Sequence, residues 1–326
     1  MHKSPAVDRQ PKLHRLLMGL GLALFIPVAA PRIPVAQPAP LAPPAIVGRW
    51  DLTVRSTGGS YPSWLEVELS GNSTLVGRFV GQFGSARPVS RVDFKDGALR
   101  FAIPPQWERG AGDLTVEASL EGGKLSGFLT DPAGVRSPFT AVRAPALRHD
   151  EPAWGSPVAL FNGKDLNGWK ATGANQWKVV NGILTSPAPG SNLLTDQRFT
   201  DFRLHVEFRV PKGGNSGIYL RGRYEVQVED SKGMELDSHH LGGVYGFLTP
   251  NRDAALGPGE WQSADITLVG RLVTVVLNGV AIIVEQEIPG ITGGALDSDE
   301  ASPGPLMLQG DHTAIEYRKV VLTPPR

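Results

Sequence analysis

Short segments that alternate apolar and polar residues recur about every ten residues between positions 46 and 145. Turn-forming residues separate them, and this pattern predicts antiparallel strands rather than helices. Asp96-Gly97 and Gly122-Gly123 stand where two-residue hairpin turns require positive φ. The 39 glycines and 28 prolines of the chain agree with many short strands and turns. We therefore predict an all-β chain.

Eight strands in sequence order favour a small antiparallel barrel or a curled sandwich at 46–145, because closure removes exposed strand edges. Trp50, Trp64 and Trp107 could line a binding surface, but we expect them in the core of this unit. The region shows no cluster of titratable residues, so we interpret it as a binding or spacer module without catalysis. The predicted strands are Gly48–Arg55, Trp64–Leu69, Leu75–Gln82, Val89–Phe94, Ala98–Ile103, Leu114–Leu120, Lys124–Leu129 and Arg136–Val142.

The first thirty residues have the order of a signal peptide, with basic residues before the apolar run Leu16–Ala30. This run is shorter than the roughly 20 residues that span a membrane, so export is favoured over a permanent anchor. Pro31 would hinder cleavage, which leaves an uncleaved membrane anchor as the alternative. Residues 31–45 are rich in proline and alanine and predict an extended spacer. We expect a periplasmic or extracellular protein.

Charge and cysteine content exclude several classes of partner and site. Lysine plus arginine equals aspartate plus glutamate at 32 each, which gives no overall attraction to nucleic acid and favours a neutral substrate. The chain has no cysteine, so it has no disulfide, no thiolate nucleophile and no cysteine-ligated metal. No protein partner can be inferred.

A second unit is predicted at 157–326, after a linker at 146–156. Residues 203–210 alternate so that Leu204, Val206 and Phe208 share one face, and Asn278-Gly279 predicts a hairpin. The stretch 213–230 predicts two strands joined by a tight turn. In its second strand, alternation sends Tyr224, Val226 and Val228 to one face and Glu225, Gln227 and Glu229 to the other.

Nine blocks in this unit resemble, in order, the 3-keto-disaccharide hydrolase family, long described as a domain of unknown function. The resemblance covers about residues 157–326. The blocks are FNGKDLNGW, WKVVNGIL, DFRLHVEFRV, GGNSGIYLR, YEVQVED, VYGF, GEWQSADITLVG, VTVVLNGV and LQGDHTAIEYRKVVL.

This resemblance implies a concanavalin A-like jelly-roll β-sandwich of the laminarinase type, with a groove for a carbohydrate substrate. It implies a hydrolase that cleaves 3-keto-glycosides. The ketone at C3 acidifies the hydrogen on C2, so a general base can remove it, the enolate can expel the C1 substituent, and water can then add.

Glu225 is the expected base, and His312 is the expected acid or an alternative base. If the element Pro305–Thr313 lies beside the strand that begins at Tyr224, these groups converge with Gln309. Arg221, Gln227 or Gln309 would stabilise the enolate. The remaining expected substrate contacts are Asn215, Tyr245 and Asp230, with Trp261 as a further stacking candidate.

Two further interpretations remain open for the function. The sequence Glu225-x-Gln227-x-Glu229 looks like the Glu-x-Asp-x-Glu strand of laminarinase-type glycosidases, although its middle acid is replaced by an amide. A carbohydrate-binding protein without catalysis is the second alternative.

A metal site is considered but not favoured. Asp237, His239 and His240 lie close together in the loop Asp230–Gly243, and a carboxylate with two histidines can bind a metal. Adjacent histidines in extended chain point apart, so we expect this loop to form a groove wall. No cofactor is expected, and a metal ion such as calcium is left open.

Overall fold

The computed structural model describes residues 43–326, in which all regular secondary structure is β. The predictions for the preceding segment, a signal peptide or anchor at 1–30 and most of the spacer at 31–45, lie outside the described residues. Between residues 43 and 326 the structure contains no helix that is long and apolar enough to cross a membrane.

Eight strands form a closed antiparallel barrel in which each strand pairs with the next one along the chain and β8 pairs with β1. Of the two architectures predicted for this region, the structure has the barrel, with all eight predicted strands present. The second strand begins at Gly59 rather than at Trp64. The strands are β1 (Gly48–Ser56), β2 (Gly59–Ser70), β3 (Thr74–Val80), β4 (Arg87–Lys95), β5 (Ala98–Ile103), β6 (Leu114–Glu121), β7 (Lys124–Thr130) and β8 (Arg136–Arg143).

Alternation along these strands fills the barrel, because every second side chain points inward. Trp50 and Leu52 on β1 are fully buried, and β5 alternates between exposed and buried positions over its whole length. Trp50 lies in the barrel core, as predicted, whereas Trp64 is buried in the core cluster of the sandwich instead. The same prediction is wrong for Trp107, whose side chain is 65% exposed.

The second unit is a β-sandwich of two antiparallel sheets, which confirms the expected jelly-roll class. One sheet has the order β10-β13-β20-β15-β16, and the other has the order β11-β12-β21-β14-β17-β18-β19, with β9 paired to β21. The strands are β9 (Val158–Ala159), β10 (Trp169–Ala171), β11 (Lys178–Val180), β12 (Ile183–Ser186), β13 (Leu193–Phe199), β14 (Phe202–Arg209), β15 (Asn215–Leu220), β16 (Tyr224–Glu229), β17 (Gln262–Val269), β18 (Leu272–Leu277), β19 (Val280–Glu287), β20 (Gly304–Leu308) and β21 (Ile315–Thr323).

The two sheets share one apolar core, to which β14 contributes Leu204, Val206 and Phe208, as predicted. Val226 on β16 enters this core from the opposite sheet. Residues of β16 that alternate with Val226 therefore point away from the core. The outer face of the five-stranded sheet is where polar side chains can collect.

The barrel packs directly against the sandwich. Trp64 of the barrel is fully buried and meets Phe247 edge to face, with ring centroids 5.3 Å apart. Gly290 lies under the Trp64 indole, where any Cβ would overlap the ring. Gly294 N donates to Gln82 O at 2.8 Å. This packing holds one rim of the barrel beside the outer face of the five-stranded sheet.

Candidate active site

The β15–β16 hairpin forms the floor of the site. Its three-residue loop, 221–223, places both Arg221 (φ 53°) and Gly222 (φ 67°) in the left-handed region. Tyr219 pairs with Glu225, and Gly217 pairs with Gln227. These partners lie on the same sheet face, so their side chains meet above it.

The strand next to β15 on its other side is β20, and the second group of predicted residues, Gln309 and His312, follows its end. The condition that this element lies beside the Tyr224 strand is not met, because β20 pairs with β15 and not with β16. The groups still converge on one face, since Gln309 N donates to Gly217 O at 2.9 Å. The free edge of β16 is covered by the segment 243–245, in which Tyr245 N donates to Glu225 O at 3.0 Å.

A cavity of about 420 Å³ opens above this floor. Its size falls within the range of small-molecule sites. Six of the eight predicted site residues line it, and Arg221 and Asp230 do not. The lining residues are Phe83, Gly84, Trp107, Asn192, Asn215, Tyr219, Glu225, Gln227, Tyr245, Gly293, Gly294, Gln309, Asp311 and His312.

Glu225 is a buried carboxyl group in the cavity floor, with 4% of its surface exposed. Burial raises the pKa of Glu225 to about 8, although the hydrogen bond from Tyr219 and the charge of His312 act in the opposite direction. The carboxyl group lies across β15 at Gly217, where a Cβ would overlap it. Glycine is therefore required at 217 for this position of the carboxyl group.

The hydroxyl group of Tyr219 connects Glu225 to the backbone. It lies 2.9 Å from Glu225 Oε2 and 2.9 Å from Gly293 O. A phenol has one proton, so it can donate to only one of these acceptors. When Glu225 is ionised, Tyr219 donates to the carboxylate and Gly293 O loses that bond. When Glu225 is protonated, it can donate to the Tyr219 oxygen, and Tyr219 can donate to Gly293 O.

His312 stands beside Asp311 at the mouth of the cavity, with Nδ1 2.6 Å from Asp311 Oδ1. This hydrogen bond raises the pKa of His312, as do the charges of Asp311 and Glu225, whereas burial lowers it. The imidazole side chain is about half exposed. The raised pKa favours the protonated imidazole, which can reach a bound ligand from the mouth of the cavity as a proton donor.

Two side-chain amides offer unused acceptors to the cavity. Gln227 and Gln309 are both more than nine-tenths buried, and their Oε1 atoms have no hydrogen-bond partner among residues 43–326. A buried polar atom without a partner is costly, so these atoms are suited to accept hydrogen bonds from a ligand's hydroxyl groups. Asn215 lies next to them, with Oδ1 3.4 Å from Gln227 Nε2.

Arg221 lies on the other side of the sheet from the cavity. Its positive φ turns the side chain away, and its Nη2 donates to the hydroxyl group of Tyr224 at 2.8 Å. That hydroxyl group bonds to buried Glu300, which pairs with Arg271 at 3.0 Å. The predicted contact of Arg221 with the enolate does not fit this position.

Asp230 and Trp261 also lie outside the cavity. Asp230 Oδ2 accepts from Gly213 N at 2.9 Å and so closes the base of the hairpin. Trp261 is held between two guanidinium groups, those of Arg209 and Arg318, each 4.7 Å from the ring centre. Neither side chain is therefore positioned to contact a ligand in this cavity.

The loop between β16 and residue 243 separates its two histidines, as predicted. His239 pairs with Asp237, whereas His240 Nδ1 lies 2.7 Å from Glu229 Oε2. Among residues 43–326, no three acidic or histidine side chains are grouped as metal ligands. His239 packs edge to face on Tyr245 at 4.9 Å, so the loop supports the wall that Tyr245 forms.

Several lining residues were not predicted as site residues. Tyr219 faces Glu225 because the hairpin loop has three residues, 221–223, whereas the predicted two-residue turn at Gly222-Arg223 would have paired Leu220 with Glu225. Asn192, whose Oδ1 accepts from Gly310 N at 2.8 Å, precedes a strand and has no distinguishing pattern. Phe83 and Trp107 belong to the barrel, and only the packing of the two units brings them to the cavity.

The arrangement can perform proton transfer on an uncharged polar ligand. It combines a buried carboxyl group of raised pKa, an imidazole of raised pKa and two amides with free acceptors. Because the pKa of Glu225 is about 8, its ionised form is a stronger base than an ordinary carboxylate.

A named relative and several solved structures resemble the chain. A protein named 3-keto-disaccharide hydrolase from Bacteroides thetaiotaomicron is 29% identical over 92 residues, which cover 24% of this chain and 31% of the relative. The chain thus spans about a third of that relative's length.

Two crystal structures of candidate glycosyl hydrolases from Parabacteroides distasonis match over the sandwich-sized part of the chain. One has 29% identity and a TM-score of 0.46, and the match covers 54% of this chain and 91% of the matched structure. The other has 20% identity and a TM-score of 0.43, and covers 52% and 94%.

The family resemblance inferred from the nine blocks is confirmed by a match to the 3-keto-alpha-glucoside-1,2-lyase-like domain over residues 156–323. That region includes β9–β21 and every polar side chain of the cavity. The chain belongs to the 3-keto-alpha-glucoside-1,2-lyase-like family.

Proposed function

We propose that this protein is a glycoside-cleaving enzyme that acts on 3-keto-glycosides and begins by removing the proton at C2. The observation that carries the proposal is Glu225, a buried carboxyl group with a pKa of about 8 in a polar cavity. A ketone at C3 makes the C2 hydrogen a weak acid, and a carboxylate with a raised pKa is a stronger base toward it.

In the first step, the Glu225 carboxylate takes the C2 proton, and the electrons of the C–H bond move into the enolate of the C3 ketone. The side-chain amides of Gln227 and Gln309 carry N–H donors that can stabilise the enolate oxygen, while their free Oε1 atoms accept from sugar hydroxyl groups. Two amides replace the predicted contribution of Arg221.

In the second step, the enolate electrons return, form the C1–C2 double bond and break the bond from C1 to the leaving oxygen. His312, held by Asp311, protonates that oxygen. Water then adds across the double bond, with its hydroxyl group on C1 and a proton returned to C2. The net change is hydrolysis, and release before the water adds would make the same enzyme a lyase.

The geometry gives less support to the two alternatives. A retaining glycosidase needs two carboxylates that flank the scissile bond, but Gln227 is an amide and Glu229 is paired with His240 outside the cavity. A sugar-binding protein without catalysis has no need for a buried carboxyl group of raised pKa, which lowers stability when it ionises.

The first test is an incubation of the purified chain with 3-keto-glucosides and their unoxidised parents, followed by NMR of the products. We expect cleavage of the keto sugars alone. Glu225→Gln should lower turnover by about 10²-fold or more. Glu229→Gln, on the same strand but outside the cavity, is the matched control and should retain activity.

A second test isolates the proton transfer. A 3-keto-1,5-anhydroglucitol has no leaving group at C1, so in D2O the enzyme should only exchange its C2 hydrogen for deuterium. Exchange that is present in the wild-type protein and absent in Glu225→Gln would support the assignment. Cleavage of keto-glycosides without such exchange would refute C2 proton abstraction.

We further propose that the enzyme is exported, on the basis of the signal-like segment at 1–30, and that no metal or cofactor takes part. Fractionation of cells that express the full chain tests export. Retention in the cytoplasm would contradict it.

A further inference from the structure

The barrel leaves two large aromatic side chains exposed at the rim of the cavity. Phe83 is 60% exposed and Trp107 is 65% exposed, whereas the tryptophans of the barrel strands are fully buried. Both aromatic residues line the same cavity as Glu225. An exposed pair of aromatic side chains at the rim of a cavity is typical of a ligand-binding surface.

The loop that carries Trp107 is rigidly held. Glu108 accepts hydrogen bonds from Gln106 N at 2.9 Å and Trp107 N at 3.2 Å, and it binds Arg87 at 2.8 Å. The Gln106 amide in turn donates to Ser85 Oγ at 2.8 Å. These hydrogen bonds hold the loop in the position that exposes the indole.

The loop that carries Phe83 packs against the Trp107 loop and against residue Gly293, which contacts the floor of the site. The indole of Trp107 lies against Gly84, where a Cβ would overlap it. Gly293 touches Gly84 just as closely, and its carbonyl oxygen accepts the Tyr219 hydrogen bond. The aromatic pair thus stands at a fixed position at one side of the Glu225 site.

The chemistry of this side of the cavity differs from that of the floor. Phe83, Gly84, Trp107, Gly293 and Gly294 supply no polar side-chain group apart from the indole N–H. The amides, carboxyl groups and imidazole all come from the sandwich. A second sugar ring could stack here but would find almost no side-chain partners for its hydroxyl groups, whereas a flat apolar ring would stack without needing them.

We propose that the barrel supplies the leaving-group subsite of the enzyme and that Trp107 and Phe83 select a flat aromatic aglycone. This inference rests on the proposed function, since it assigns the sugar ring to the Glu225 floor and the C1 substituent to the barrel rim. It also gives a role in substrate specificity to the N-terminal unit, which the sequence predicts to be a binding or spacer module without catalysis.

The test compares phenyl and methyl 3-keto-glucosides of the same anomeric configuration. We expect Trp107→Ala to lower kcat/KM for the phenyl substrate by about tenfold, through KM, because a lost stacking contact is of that size. The methyl substrate should change by less than about twofold. Phe83→Ala should act in the same direction, and Trp107→Phe should restore most of the loss. Equal losses on both substrates, or none, would overturn the proposal.

A 3-keto-disaccharide separates an aromatic ring from a sugar ring in the subsite. An unchanged kcat/KM for it in Trp107→Ala supports an aromatic aglycone, whereas a loss as large as that of the phenyl substrate overturns it. Because Trp107 is exposed, its variants should keep the wild-type melting temperature.

Binding distinguishes failure of the subsite from failure of the proposed function. Calorimetry with unoxidised phenyl and methyl glucosides needs no turnover. Tighter binding of the phenyl compound that Trp107→Ala abolishes supports the subsite even if no keto sugar is cleaved. Cleavage of methyl 3-keto-glucoside, together with equal binding of the two glucosides, refutes the subsite and leaves the proposed function intact.

Discussion

Replacement of Glu225 by glutamine should change the pH dependence of stability as well as abolish activity. The pKa of this carboxyl group is raised from 4.5 to about 8 in the folded protein. The folded state therefore binds the proton more tightly than the unfolded chain does. Its stabilising effect is complete below the unfolded value and is lost as the pH rises through about 8.

The magnitude follows from about 1.36 kcal/mol per pKa unit. Between about pH 5 and pH 8, this single group should lower the free energy of unfolding by about 3 kcal/mol. Because the carboxyl group is buried, solvent screening reduces this figure little. Glutamine has a similar shape and does not titrate, and Glu225→Gln should remove that part of the pH dependence.

The assay is urea unfolding of the wild-type protein and the variant at both pH values. The wild-type protein should lose about 3 kcal/mol relative to the variant on going from pH 5 to pH 8, with equal m-values. Any constant cost of the substitution cancels in this comparison. A difference between the two proteins that does not change with pH would refute the raised pKa and, with it, the reason for assigning Glu225 as the base.

Three further outcomes test the same site. Gly217→Ala places a methyl group where the Glu225 carboxyl lies, and a displaced base should lower kcat by about 10²-fold while circular dichroism stays unchanged; normal kcat would contradict the contact. Tyr219→Phe removes a hydrogen bond that lowers the pKa of Glu225, so the acid limb of the kcat/KM profile, expected near pH 8, should move to higher pH; a shift to lower pH would contradict it. Dialysis against EDTA should leave kcat/KM unchanged, and a loss that calcium or a transition metal restores would disprove the cofactor-free mechanism.

Much of the fold could be predicted because alternation and turn chemistry act locally. The eight barrel strands follow from short alternating runs, and the Asp96-Gly97 turn has the predicted positive φ at both residues. The same alternation assigned Glu225 and Gln227 to the outer face of β16, because the buried neighbours of these residues are apolar. A strand has only two faces, so a correct register determines them together.

The position of the Arg221 side chain could not be predicted from strand alternation. Alternation continued from β15 would place it on the face of Tyr219, but the chain enters the left-handed region at Arg221 and its side chain turns toward Tyr224. The alternation of a strand does not apply to a turn residue. The direction of its side chain depends on the turn geometry and on the hydrogen-bond partners within reach.

The sequence by itself determined the all-β class, the barrel strands, the family and the face on which Glu225 lies, since these depend on the order and period of residues along the chain. Only the tertiary structure decided the raised pKa of Glu225, which arises from burial. It also decided that Trp107 lies exposed at the cavity rim rather than in the barrel core. Both depend on tertiary packing, because neighbouring residues of the sandwich enclose Glu225 and the packing of the barrel on the sandwich brings Trp107 to the cavity.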